Sequence, residues 1–512
     1  MQRLRGSPGI IVLLFYFICI WKDISGLCPV SCDCDDGNLR AFCNFAKLDV
    51  IPITLNPHLK YLSLNNNRIK TTMLSLGVYR NLEHLDISHN ELVKLTPFNF
   101  IGLRSLQLLN LSSNLISELN NETFLGLESL TELFLDHNLL QSIPDSVFTK
   151  LRGLKKLDLS MNRISTILQD SFQGLNNLEY LSLRSSKLTF IPSESFHSLK
   201  NLLTLDLGLN SFPSIPENSF SFLNKLTELI LDNCGIQEIV YGAFKWLNAL
   251  KILRLEKNEL SEIPTKPLFD VIYLEEIYLG QNKFSTIKSR SFQRLQYLRV
   301  IDISDTATLN RVEADSFADN KNLERIVMNY NKKLNYIDAS TFRNLHELQE
   351  IHLRGNSFQS FDQDLISGGL KVLDIRDNPL VCACDMLWLA TYLRAVNLSF
   401  SSEEDFSKVR CASPSNLKDK ILRELTQSDL GCTLKDHRRP IITGIIVVAV
   451  VIMVAIAVVG FKYRKKVTGT LKSRWNTRKK ETKYHKTGYL EEDDTILQAA
   501  QRPLKIAPVT EL

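Results

Sequence analysis

One pattern, L-x-x-L-x-L-x-x-N-x-L with other aliphatic residues standing in for leucine, recurs along most of this chain, usually every 24 residues. One copy runs Leu82, Leu85, Ile87, Asn90, Leu92, and the next Leu106, Leu109, Leu111, Asn114, Ile116. Fourteen units begin at Leu59, Leu82, Leu106, Leu130, Leu154, Leu178, Leu202, Leu226, Leu250, Leu274, Leu298, Leu323, Leu348 and Leu370. Self-similarity at such a period marks a solenoid. Within each unit the L-x-L alternation sets both aliphatic side chains on one face of a short strand. A lone unit cannot bury that face, so stability has to come from stacked neighbours. The expected fold is α/β: a curved solenoid with a parallel β-sheet on its concave face.

Two further columns support this register. Asparagine stands at 67, 90, 114, 138, 162, 210, 258, 282, 331, 356 and 378, where it bends the chain out of the strand and satisfies backbone groups along the turn. Ser186, Cys234 and Thr306 replace it in three units. Cys234 is therefore read as a ladder residue, since the pattern accepts cysteine there. Phe100, Phe124, Phe148, Phe172, Phe196, Phe220, Phe244, Phe292, Phe317 and Phe342 each precede the next unit's first leucine by six residues. They are expected to stack as a spine, with Leu268 in the unit that lacks a phenylalanine. Irregular stretches at residues 305–310 and 331–335 are expected to form loops on one face.

Two apolar segments set the expected topology. Arg3 and Arg5 precede an apolar core from Ile10 to Trp21, and Ser25 and Gly26 follow. This is the layout of a secretory signal peptide, assigned to residues 1–26. Residues 441–461 contain no charge. As a helix they would reach roughly 30 Å, the thickness of a hydrocarbon core. Lys462, Arg464, Lys465 and Lys466 follow at once, which predicts a transmembrane helix with a cytoplasmic tail at 462–512. That tail carries +7 of a total net charge of +5, leaving −2 for the rest. The basic excess thus reads as a topology signal and an attraction to anionic lipid, not as nucleic-acid binding.

Eight of the ten cysteines flank the repeats. Cys28, Cys32, Cys34 and Cys43 precede them, and Cys382, Cys384, Cys411 and Cys432 follow. Even-numbered groups in a secreted chain read as disulfides, with three pairings open in each group. Zinc is the rival reading, but the spacings are not the usual zinc pairs. The stretches CPVSCDCDDGNLRAFC and NPLVCACDMLWL resemble the N- and C-terminal flanking caps of extracellular leucine-rich-repeat proteins. The resemblance covers residues 28–432 and extends to adhesion proteins and to Toll-like receptor ectodomains. It implies the pairs Cys28–Cys34, Cys32–Cys43, Cys382–Cys411 and Cys384–Cys432. Fifty-one cytoplasmic residues leave no room for a Toll-type signalling domain. The expected organisation is an N-terminal cysteine-rich cap at 27–58, fourteen leucine-rich repeats at 59–380 and a C-terminal cap at 381–433. The transmembrane helix and tail follow.

The x positions of the strands should face a ligand. Polar residues are expected there, yet Ile230, Ile252, Tyr278, Val300 and Val327 occupy five consecutive units. With Arg254, and with Glu228, Glu256, Glu276 and Arg325 as a polar rim, they form the expected ligand-binding patch. Leu108 and Phe134 make a smaller pair, while Tyr61 and Tyr180 read as isolated. Asn110, Asn121 and Asn397 begin N-x-S/T sequons and are candidate glycosylation sites. A glycan on Asn110 would obstruct the early strands. Thr510 and Leu512 match a carboxyl terminus recognised by PDZ domains through strand addition.

No phosphate loop, nucleophile motif or metal-ligand spacing is present, so neither catalysis, a metal nor a cofactor is expected. The expectation is a type I plasma-membrane recognition or adhesion receptor for an extracellular protein, with a tail that docks a PDZ scaffold. The alternative is an innate-immune or growth-factor co-receptor that signals through another chain. The sequence leaves open whether it pairs with itself or with others.

Overall fold

A computed structural model describes residues 27–72, 75–366, 369–395, 408–432, 444–460 and 463. The signal-peptide segment, Asn397 and the tail with Thr510 and Leu512 lie outside the described residues.

The repeats form a succession of single turns, each adding one three-residue strand to a sheet of sixteen strands. The order follows the chain from Asp33–Asp35 to Val372–Asp374. The first pair, Asp33–Asp35 with Arg40–Phe42, is antiparallel and comes from the N-terminal cap. Every later neighbour is parallel, beginning with Arg40–Phe42 beside Tyr61–Ser63. Fourteen strands belong to the fourteen units, so the register read from the leucines is the register of the sheet. In most strands only the middle residue is buried and its two neighbours are half-exposed, as at Glu228–Ile230 and Ile252–Arg254. The pleat thus sends Leu229 and Leu253 inward and gives every repeat two side chains on the outer strand face.

The asparagine column is buried along its whole length. Asn114 shows the pattern. Its amide donates to the Ile87 carbonyl of the preceding repeat at 3.0 Å and to the Leu111 carbonyl of its own at 3.1 Å. Its Oδ1 accepts from the Leu92 N–H at 3.0 Å. One side chain thereby satisfies backbone groups in two repeats, where no sheet bond reaches. The residue just before the ladder position adopts left-handed backbone in repeat after repeat, for example Met161 at φ 54° and Leu209 at φ 57°. Beneath the opposite, back face the phenylalanines stack: Phe124 on Phe148 at 5.8 Å between ring centroids, and Phe292 on Phe317 at 5.5 Å. Leu268 fills its expected gap in the spine, fully buried.

Both ends are closed. Cys28–Cys34 and Cys32–Cys43 tie the N-terminal hairpin. Cys382–Cys411 and Cys384–Cys432 fold the C-terminal segment around the helix Leu387–Ala395, whose Leu389, Ala390 and Leu393 are buried. These are the pairs that the family resemblance implies. Cys234 is the one free cysteine among the described residues, and it is buried. Its Sγ lies 3.3 Å from the Leu207 carbonyl, in the ladder's place. Burial pushes its thiol up to about 12, which removes thiolate reactivity.

Residues 1–432 and 433–512 are separate units. In the second, residues 444–460 are helical. No helix among the described residues is long and apolar enough to cross a membrane. The ends of the expected 441–461 span, residues 441–443 and 461, lie outside the described residues.

Candidate functional site

The outer strand face carries two rows of side chains, one from each end of the three-residue strands. In repeats seven to twelve the first row reads Thr204, Glu228, Ile252, Glu276, Val300, Arg325. The second reads Asp206, Ile230, Arg254, Tyr278, Asp302, Val327. From repeat eight to repeat twelve each strand therefore offers one apolar and one charged residue, and the order flips from strand to strand. Ile230, Ile252, Tyr278, Val300 and Val327 form a diagonal zigzag, interleaved with a second zigzag of Glu228, Arg254, Glu276, Asp302 and Arg325. The expected apolar patch with a charged rim is thus corrected. The charges are threaded through it, because parallel in-register strands place residues of the same row side by side, so Ile252 sits between Glu228 and Glu276 and Tyr278 between Arg254 and Asp302.

The interleaving lets the charged groups hold the apolar ones. The Arg254 guanidinium lies 4.3 Å from the centre of the Tyr278 ring. Its Nε donates to Glu228 Oε1 at 3.4 Å, and Glu256 lies 3.7 Å from its Nη1. The Tyr278 hydroxyl donates to Glu276 Oε2 at 2.7 Å. Burial, and then the Glu276 carboxylate, push the Tyr278 phenol up to about 12, so it stays a neutral donor. Arg325 grips Glu350 with Nε at 2.6 Å from Oε2. Tyr278 is consequently a rigid aromatic with its rotamer set before any partner arrives, which lowers the ordering cost of binding. Glu256 has one carboxylate oxygen buried without a hydrogen-bond partner, and burial raises its pKa.

Two readings from sequence change earlier on the face. Tyr61 is not isolated: its ring stands 5.1 Å from Phe42 and 6.0 Å from His84. Tyr180 and Phe134 share a cation, since the Lys156 ammonium lies 5.4 Å from one ring centre and 4.9 Å from the other. Asn110 is half-exposed at the end of Leu108–Asn110, with Oδ1 accepting from the Ser112 N–H at 3.0 Å, and Asn121 is exposed in a turn. Among the described residues no group of three or more His, Cys, Asp or Glu could hold a metal ion.

Sequence reasoning missed one polar contact on this face altogether. Arg184 reaches across repeat seven to Asp232 in repeat eight, with two contacts of 2.7 Å, and touches Asp206 at 3.2 Å on the way. The only available signal was Gly208, whose missing side chain leaves the path open.

The leucine rich repeat model matches residues 80–140, 129–188, 177–236, 248–307, 272–332 and 296–358, together more than half of the chain. The chain belongs to the leucine-rich-repeat family. A leucine rich repeat C-terminal domain matches residues 408–433. Among curated proteins this leucine-rich-repeat chain is similar to human vasorin, 28% identical over 32% of the chain and 24% of vasorin. It is also similar to trophoblast glycoprotein of Macaca fascicularis, 27% identical over 22% of the chain and 29% of that protein. The chain thus spans less than a third of the length of these relatives. Among solved structures it resembles the TLR13–ssRNA13 complex, with a TM-score of 0.55 and 25% identity over 73% of this chain and 60% of that one.

Proposed function

We propose that this leucine-rich-repeat chain is a type I cell-surface receptor that recognises an extracellular protein through the strand face of repeats eight to twelve. The observation that carries the reading is the zigzag from Ile230 to Val327, with Tyr278 clamped between Arg254 and Glu276. A braced aromatic among half-exposed aliphatic residues is the composition of a protein-binding hot spot. Alternating charge across the same strands supports a protein ligand over a polyphosphate. A nucleic acid would call for a one-signed basic track, whereas here Arg254 and Arg325 are already paired with Glu228 and Glu350.

Closed disulfide caps suit an oxidising compartment. A glycan on Asn110 would shield repeat three and leave repeats eight to twelve free. Asn121 and Asn397 are the other proposed glycan sites. Residues 441–461 serve as the membrane anchor, and Thr510 and Leu512 dock a PDZ scaffold inside the cell.

The test is a binding screen of cells displaying the full-length chain against an array of recombinant extracellular protein domains, this chain's own among them. A hit should lose binding on the order of a hundredfold with Tyr278→Asp and with Ile252→Asp, while antibody staining of the cell surface stays unchanged. Binding that survives both substitutions would reject this face.

A further inference from the structure

The turns that lead into the strands carry exposed tyrosines in two successive repeats. Tyr273 and Tyr297 stand just before Leu274 and Leu298, the leucines that begin repeats ten and eleven. Each side chain is 50% exposed, their ring centroids lie 5.4 Å apart, and Ile272 beside them is exposed as well. Rings of this kind, apolar in body and wet at one end, are enriched at protein interfaces. The same column continues with Ala249 on one side and Asn322 on the other, so the aromatic pair is confined to two repeats.

The charges around the pair follow an order. Immediately after the first leucine of repeats nine to twelve stand Lys251, Glu275, Arg299 and Glu324, alternating in sign. Lys251 Nζ lies 2.8 Å from Glu275 Oε1, and Arg299 holds Glu324 through Nε at 2.8 Å and Nη2 at 3.0 Å. Four residues before the leucines of repeats ten and eleven stand Asp270 and Arg294. Asp270 has one carboxylate oxygen without a hydrogen-bond partner and no ion pair among the described residues. The Arg294 guanidinium lies over the Phe269 ring, 5.5 Å from its centre.

Both charged columns share one centre, the midpoint between Tyr273 and Tyr297. A two-fold axis through that point along the strand direction reverses the order of repeats and keeps each column in place. The alternating run then meets its own inverse. Glu275 faces Arg299 of the other copy, Lys251 faces Glu324, Asp270 faces Arg294, and Tyr273 faces Tyr297. In an isologous contact each of these pairings occurs twice. An axis one repeat earlier would set Tyr297 against Lys225 and Asp270 against Trp246. One repeat later, it would set Tyr273 against Glu347 and Glu275 against Gln349. No N-x-S/T sequon lies between residues 225 and 330, so no N-linked glycan is placed on these repeats. We propose that this flank binds a second copy of the chain about that axis, with the tyrosines at the centre and the charges fixing the register. The contact is separate from the strand face, where Tyr278 lies.

A charge swap tests the proposal on two differently tagged full-length chains expressed in the same cells. One tag should be recovered with the other from mild detergent. Recovery should fall on the order of tenfold when both chains carry Glu275→Arg, or both carry Arg299→Glu, because like charges then oppose each other at both symmetry-related contacts. It should return when one chain carries Glu275→Arg and the other Arg299→Glu, since that mixture restores opposite charge at both. The rescue also shows that each variant is folded. Tyr273→Ser with Tyr297→Ser in both chains should likewise lower recovery on the order of tenfold, and Tyr278→Asp should leave it unchanged. Absence of co-recovery for the parent, single variants that associate as the parent does, or a mixture no better than either variant alone would each overturn it.

Discussion

Arg184 holds Asp232 through two parallel hydrogen bonds of 2.7 Å, although a complete repeat lies between them. The contact passes over Gly208, where a Cβ would collide with the guanidinium. It also spans the stretch in which the asparagine ladder is weakest. Ser186 leaves its hydroxyl buried without a partner, and Cys234 substitutes a thiol two repeats later. The clamp ties repeat six to repeat eight where the usual backbone bridges are thinnest.

A double-mutant cycle on Arg184→Met and Asp232→Asn should return a coupling of about 1 kcal/mol, the upper range for a partly exposed bidentate pair. Gly208→Val should destabilise by about 1–3 kcal/mol, because the new side chain displaces the guanidinium. Chemical unfolding of the full-length chain reads both. Strictly additive single variants would show that the pair does not act as a clamp.

The ladder makes its own forecast. Asn138 joins the Leu111 and Leu135 carbonyls and the Ile116 N–H, all buried. Asn138→Ala should cost about 2–4 kcal/mol, since several backbone groups lose their partner at once. Ser186→Asn, which restores the missing rung, should raise stability by about 1 kcal/mol. Equal unfolding midpoints for both variants and the parent would contradict the account of the ladder.

Left-handed backbone before each rung is a third point of stress. Met161 at φ 54° is exposed, so its side chain contributes little packing. Met161→Ile should destabilise by about 1–2 kcal/mol, since a β-branched residue fits this region poorly. Met161→Gly and Met161→Asn should stay within about 0.5 kcal/mol of the parent. Thermal unfolding of the three variants distinguishes them, and a tolerated isoleucine would mean that the turn is not constrained.

Glu256 gives a pH signature. Burial raises its pKa in the folded chain, so ionised Glu256 works against folding at neutral pH. The penalty is fully present above the folded pKa. It fades as pH falls through that value and is gone below the ordinary 4.5 of the unfolded chain. Glu256→Gln should therefore raise the unfolding midpoint at pH 7, with the difference from the parent shrinking by pH 4. A difference that grows on acidification has the wrong sign for this mechanism.

The solenoid was legible in sequence because burial leaves the leucines, asparagines and phenylalanines almost no freedom, so the period survives in the letters. Leu85, Asn90 and Phe100 state their roles without help from neighbours. The strand face was legible only in part. Ile252 and Tyr278 could be placed on it, but their interleaving with Arg254 and Glu276 depends on which row each occupies in adjacent strands. Contacts that skip a repeat, such as Arg184 with Asp232, have no sequence period at all. Met161 and Leu209 hide their strained backbone because nothing in a methionine or leucine announces a positive φ. Repeat nine, which enters the helical turn Thr265–Leu268 in place of a short second strand, did leave marks, in Pro264, Pro267 and the leucine at 268. Proline alone does not decide it, since Ile143-Pro144 and Ile215-Pro216 follow the same order and keep their strands.

Photo-crosslinking from the strand face tests the central claim most directly. A benzophenone amino acid replaces Val300 in the full-length chain on intact cells, and the crosslinked proteins are identified after irradiation. The account predicts an extracellular protein joined at position 300, which disappears when Tyr278→Asp is added and is not captured from exposed position 311, in a strand of a separate sheet. An unreactive position 300, or a crosslink indifferent to Tyr278, would contradict it.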